Sequence, residues 1–283
     1  MRGVASERHR LRQLLRIPAG ATGGVTIVAV ALLLALIGPF IAPFDPRTAI
    51  PGDQLKPPSL RHVMGTDENG MDIFSRVIAS PRTDLTIAVL GTLGAIGAGI
   101  PLGLIAGYYR GFFSGLLMRV SDIVQSFPVF ILGMALVVVT GQEIKNVVYV
   151  VAIVNCPIYI RLVRGQVLFL RERPFIEAAR ALGVRDSWLI REHIFPNAIG
   201  PVVANASITV GWAILLTAGL SFVGAGVRVP TPEWGSMIAV GAKNIYTGEW
   251  WPSVFPGLTL ALTVLGFALL GEALVRATEP GRR

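Results

Sequence analysis

The sequence predicts an all-α polytopic membrane protein with six transmembrane helices, and three observations carry that prediction. Mean hydropathy is +0.64 and only 15% of the 283 residues are charged, well under the quarter or so found in soluble domains. Six apolar runs able to cross a bilayer are separated by polar stretches. Arginine gathers in alternate connections, as the positive-inside bias requires.

Residues 1–23 read as a cytoplasmic tail, with Arg2, Arg8, Arg10, Arg12 and Arg16 ahead of the first apolar run. That run, residues 24–44, is too long for a signal-peptide core and reads as an uncleaved first span. Residues 45–84 form an external segment rich in proline and glycine, where Arg47, Lys56, Arg61, Arg76 and Arg82 face Asp45, Asp53, Asp67, Glu68, Asp72 and Asp84. Its length is unusual for a structureless loop, so it is expected to be an ordered cap. Residues 85–275 form a core domain of five spans, at about 85–109, 123–140 (containing Pro128), 147–160, 198–223 and 254–270. Residues 276–283 form a second cytoplasmic tail. The insert at 161–197 carries Arg161, Arg164, Arg171, Arg173, Arg180, Arg185 and Arg191, whereas the loop at 224–251 has only Arg228 and Lys243. Both termini and the insert are therefore expected inside.

The second span repeats small residues at every fourth position: Gly91, Ala95, Gly99, Gly103 and Gly107. Such a ridge admits a close helix crossing, within a bundle or between subunits.

Several chemistries are excluded. No ionisable side chain falls mid-span, which argues against an ion-coupled secondary carrier, the rival class of transporter. The histidines, His9, His62 and His193, lie far apart, and Cys156 is the single cysteine, so no metal site is expected. The string GLSFVG at 219–224 lacks both the spacing and the partners of a nucleophile elbow around Ser221. The net charge of +8 is dispersed between apolar spans without an aromatic platform, so a nucleic-acid partner is not expected. No phosphate-binding GxxxxGK[ST] loop is present, and nucleotide-driven work would need another subunit.

The insert reads as two short helices around a corner. Pro174 suits a first helical turn, and Phe175, Ala178, Ala179 and Leu182 fall on one apolar stripe. Gly183 is placed to end that helix in a left-handed cap. Asp186 is placed to cap a second helix, which Pro196 would stop. Two alanines at the centre of the stripe make a poor lipid anchor, because burial scales with apolar area. A protein partner fits better.

Glu177-Ala178-Ala179, three residues, Gly183, nine residues, then His193-Ile194-Phe195-Pro196-Asn197 resembles the EAA loop of membrane subunits of bacterial ATP-binding-cassette importers. MGTDENGMDIFSRV at 64–77, RLVRGQVLFL at 161–170, LSFVGAG at 220–226 and PTPEWG at 230–235 are similar to elements of the C-type permeases in the peptide/nickel branch. Met71, where arginine is usual, and SPRTDL at 80–85 depart from that pattern, as does GEALVRATEP near the C-terminus. The resemblance implies a type I importer permease fold, a homologous second permease, one or two ATPase subunits and an external substrate-binding protein around a bilayer-embedded pair. It implies no catalytic residue and no cofactor on this chain, with ATP and Mg held by the ATPases. Phe175, Glu177, Ala178, Ala179, Leu182, Gly183, His193, Pro196 and Asn197 would meet the ATPase. Asn155, Asn205, Ser207 and Thr209 are candidates for the pore wall. Di- or oligopeptides are the implied cargo, with nickel or glutathione as alternatives.

Overall fold

The computed structural model describes residues 19–109 and 111–278. The N-terminal arginines and the tail beyond residue 278 lie outside the described residues. The helices are α1 (Ala19–Ile41), α2 (Ile73–Tyr108), α3 (Phe112–Ser126), α4 (Val129–Thr140), α5 (Ile144–Arg171), α6 (Pro174–Ala181), α7 (Asp186–Leu189), α8 (Phe195–Ala198), α9 (Gly200–Phe222), α10 (Trp234–Ala242) and α11 (Trp251–Thr278). Five of them, α1, α2, α5, α9 and α11, are long and apolar enough to cross a membrane. A sixth crossing is completed if α3 and α4 together form one broken span.

That broken span corrects the expectation of a single helix over 123–140. The chain bends by 95° between α3 and α4. Pro128 has no N–H to continue the α3 ladder and instead sits as the N-cap of α4, while Phe127 before it is extended. The residues expected to form a connection, 111–122, are largely helical.

Helix limits also exceed the hydropathy limits elsewhere. The second span is expected from Leu85, yet α2 begins at Ile73, where Asp72 caps it by accepting from Ser75 N at 2.8 Å. Likewise α5 runs on past residue 160 to Arg171, and α11 extends on both sides of 254–270. Hydropathy falls at the first charged residue, but a helix continues until a breaker or cap ends it. At about 1.5 Å per residue, α2 is about 54 Å long, far more than the hydrocarbon core needs.

The small-residue ridge of α2 meets α5 inside this chain. A methyl group at Gly91 would come within 2.5 Å of Val151, at Gly99 within 2.5 Å of Tyr159, at Gly103 within 2.7 Å of Val163 and at Gly107 within 2.6 Å of Val167. The partners on α5 repeat at the same four-residue interval, so two matching ridges interlock. In lipid no hydrophobic force separates helix from tail, and the seam is held by van der Waals contact that only small residues permit. A bulky residue at Gly103 would break it. The other spans pack similarly: Gly211 of α9 lies against Phe267 of α11, and Gly266 of α11 against Ile27 of α1.

The polar connections collect at two ends. One end holds residues 42–72, the α4–α5 turn and the chain from 223 to 250; Gln142 bridges Gly224 and Arg228 there, and Trp251 Nε1 donates to Thr66 O at 3.2 Å. The other end holds the α2–α3 connection and the insert, where Arg171 donates to Gly107 O and Tyr108 O at 3.0 and 3.2 Å.

Candidate functional site

The insert is fastened before it is displayed. Ile176, fully buried, anchors α6 in an apolar cluster with Val163, Val167, Leu189, Ile194 and Val202, drawn from α5, the insert and α9. The Tyr108 hydroxyl at the end of α2 donates to Asp186 and accepts from Arg180 Nη2 at 3.3 Å, the Arg180 guanidinium lying over the same ring. Asp186 is thus occupied by a residue far away in sequence. The expectation that it caps the second helix is corrected: Arg185 is the N-cap and Asp186 is the first residue of α7.

Gly183 has φ +79°, and the corner closes as a Schellman motif with Val184 N donating to Ala179 O and Gly183 N to Arg180 O. A Cβ at Gly183 would meet nothing within 4 Å, so the glycine serves backbone conformation and not packing. The second helix is not stopped at Pro196. A π turn at Ile190–Ile194 leads into α8 through Phe195 N donating to Ile190 O, and Asn197 Nδ2 binds His193 O at 2.6 Å. The chain then passes into α9 after one further residue, so the insert joins that span almost without interruption.

The apolar stripe faces outward. Phe175 is 49% exposed, Leu182 85% and Trp188 47%, with Ala178 exposed between the first two. Ala179 is half-buried and packs towards the Ile176 cluster, so it sits on the shoulder of the stripe and not on its crest. His193 lies between Phe175 and Trp188, 5.9 and 4.9 Å between ring centres, and holds the two rings on one surface. Glu177 and Pro196 are exposed beside them. An apolar crest this open, flanked by Arg180, Arg185 and Arg191, is the kind of exposed patch that marks an interaction site. Tyr108, Arg171 and Ile176, which position it, were missed in the sequence. Ile176 and Ala179, three apart, were the available signal for a second, inward face.

Three of the four polar span residues are buried within the chain. Asn155 is fully buried in the α2–α5 seam, with Nδ2 on Val151 O at 2.8 Å. Ser207 donates to Phe267 O at 2.9 Å, and Thr209 pairs with the Tyr159 hydroxyl at 2.8 Å. Ser207 and Thr209 thus bond between helices of the chain, whereas the Asn155 bond stays within α5 and leaves its Oδ1 without a protein donor. Asn205, half-buried, keeps part of its surface open.

The family model for the binding-protein-dependent transport system inner membrane component matches residues 99–283. The chain belongs to that family. A second model, the N-terminal TM domain of oligopeptide transport permease C, matches residues 10–58 of this permease. It is 38% identical over 257 residues to a dipeptide transport system permease protein of Alkalihalophilus pseudofirmus, covering 91% of this chain and 84% of that one. A probable D,D-dipeptide transport system permease protein of Escherichia coli is 36% identical over 268 residues, 93% of this chain and 88% of its own. A glutathione transport system permease protein of Pectobacterium atrosepticum is 35% identical over 274 residues, 96% and 89% respectively. Among solved structures, the MetNI methionine ABC transporter in inward-facing conformations matches with a TM-score of 0.56 at 20% identity, over 72% of this chain and 96% of that one. The last likeness shows the type I importer permease fold. The permease is a multi-pass inner-membrane subunit, and its relatives are named for transport.

Proposed function

We propose that this permease forms half of an ATP-driven importer of small peptides, paired with a homologous permease and fed by an external substrate-binding protein. The observation that carries the reading is the outward crest of Phe175, Ala178 and Leu182 ending at the left-handed Gly183. Two ATPase subunits, separate or fused, would grip such crests on the permease pair and hold the ATP and Mg. Closing the ATPases draws the crests together. The movement passes to α2 and α5 through Tyr108, Arg180, Asp186 and Arg171, and to α9 through the π turn.

In this reading the insert and both termini are cytoplasmic and residues 42–72 are external. Cysteines introduced as Ser187→Cys or Ser59→Cys in a Cys156→Ala background test it in intact cells with an impermeant thiol reagent. Labelling is expected at position 59 and not at 187; the reverse would overturn the orientation.

The cargo follows the relatives, which are named for dipeptides and for glutathione, itself a tripeptide. In lipid vesicles holding the full complex, dipeptide-loaded binding protein should stimulate ATP hydrolysis. Leu182→Asp should abolish the stimulation while the permease pair still assembles, because Leu182 is 85% exposed in its own chain. Equal stimulation in Leu182→Asp would remove the docking role, and stimulation by glutathione but not by dipeptides would move the cargo to the alternative.

A further inference from the structure

At the end opposite the insert, two acids are buried against each other with no access to water. Asp84, on α2, and Glu233, the N-cap of α10, are both completely inaccessible. Glu233 uses its oxygens to cap α10, accepting from Gly235 N at 2.9 Å and Ser236 N at 2.6 Å, and also bonds Ser221 of α9. Asp84 Oδ2 accepts from Trp234 N at 3.3 Å, but Asp84 Oδ1 has no donor from the protein. Glu233 is the carboxyl that acts on it, held close by the bond from Trp234 N, the next residue in the chain, to Asp84 Oδ2.

Two carboxylates cannot hydrogen-bond each other, since both only accept, and two like charges in a dry site repel strongly. A carboxylic acid facing a carboxylate does neither. The structure assigns Asp84 and Glu233 as a pair sharing one proton, a protonated clasp that fastens the start of α10 onto α2 and α9. Glu233 already receives two backbone N–H bonds, which favour its ionised form, so the proton belongs mainly on Asp84 Oδ1, where it supplies the missing donor.

The surroundings fix the charge of the site. Arg76, two turns before Asp84 on α2 and also buried, acts on Glu233 and on Asp67 of the external segment. Its guanidinium donates to Pro46 O at 2.8 Å and Pro230 O at 3.1 Å. From α9, Ser221 faces the pair, and from α10, Ser236; α1 and α9 carry no titratable side chain, and the ionisable groups of α11, Glu272 and Arg276, lie at its far end. One cation therefore stands near three acids, and a shared proton is what brings the cluster closer to neutrality. Burial pushes the Glu233 carboxyl above its usual range, opposed by the Ser236 and Gly235 amides.

Relief by movement is closed off. Trp234, fully buried, donates its Nε1 to Val77 O at 3.2 Å, and a side chain at Gly235 would collide with the backbone of Ala218. The start of α10 is a plug between α2 and α9, and the proton is part of the plug. A clasp that depends on a shared proton is complete in acid and is lost once the solution is alkaline enough to remove that proton. The clasp stands independently of the cargo and of which face of the membrane it occupies.

The test uses the purified complex. Infrared spectra of the wild type should contain a protonated-carboxyl C=O band that resists deuterium exchange and disappears in Asp84→Asn. The melting temperature of the wild type should fall as the solution is made alkaline. That of Asp84→Asn, whose amide N–H reproduces the donor without titrating, should stay level. Glu233→Gln, which leaves Asp84 without an acceptor of full charge and weakens the α10 cap, should melt lower at every pH. A band that survives Asp84→Asn, or an unchanged alkaline fall in that variant, would overturn the shared proton. Failure of Asp84→Asn to fold would also count against it, because the amide mimics the proposed form.

Discussion

The two ends of this permease treat their polar and apolar groups in opposite ways. At the capped end the charged side chains turn inward. His62 lies between Asp72 at 2.8 Å and Asp53 at 3.3 Å, stacked on Phe44, while Asp72 also caps α2; Arg76, Asp84 and Glu233 are sealed beneath. At the insert end the apolar side chains turn outward, with Phe175, Leu182 and Trp188 on the surface and Ile176 the one fully buried residue of α6. The difference teaches which end is finished. Buried charges destabilise the fold unless they are paired, so the capped end is closed on itself, whereas an exposed apolar crest is the kind of surface that marks an interaction site.

The largest contrast is expected between two tryptophans. Trp234→Ala removes a fully buried ring and its hydrogen bond and should cost about 3–5 kcal/mol, whereas Trp188→Ala should change stability by about 0.5 kcal/mol or less. Thermal unfolding of the permease pair measures both; similar losses would erase the distinction between the ends. Asp72→Ala comes next. It removes an N-cap worth roughly 0.5–2 kcal/mol and leaves the buried His62 Nδ1 without its partner, a further loss of about 1–3 kcal/mol. Glu177→Ala at the insert should leave the melting temperature unmoved.

Gly183→Val is smaller in stability and larger in function. A β-branched residue at φ +79° costs roughly 1–2 kcal/mol, confined to the corner because nothing crowds the site. ATPase coupling should fall sharply, with the permease still in the membrane. Smallest of all is Lys145→Gln, which breaks a fully exposed pair with Glu143. No change in melting or transport is expected.

Much of the insert was legible because its signals are local. Pro174 at a helix start and Gly183 in a left-handed corner are decided by neighbours a few residues away, and the structure has both. The ridge of α2 was legible as a close crossing, but its partner was not, since the matching ridge on α5 consists of ordinary valines and a tyrosine. Long-range polar contacts were invisible. Tyr108 reaches Asp186, and Asp84 reaches Glu233, across distances in sequence that no local pattern encodes. Hydropathy misplaced the start of α2 because Arg76 and Asp84 read as exposed when tertiary packing buries them. A polar residue in a span has the same sequence signature facing a pore or a neighbouring helix, so the burial of Asn155, Ser207 and Thr209 was not legible.

The central claim is that the crest at 175–182 is the surface an ATPase grips, and Ala178 is the position that tests it most directly. Ala178 is exposed and Ala179 is half-buried, so Ala178→Leu adds bulk to the contact without disturbing the chain's own packing. Overpacking of about 1–3 kcal/mol at such an interface corresponds to a loss of affinity of roughly ten-fold to over a hundred-fold. The measurement is recovery of the ATPase subunits with the purified permease pair. The account predicts that recovery falls by that factor in Ala178→Leu while the melting temperature of the permease pair stays at the wild-type value. Full recovery of the ATPases with Ala178→Leu would contradict it.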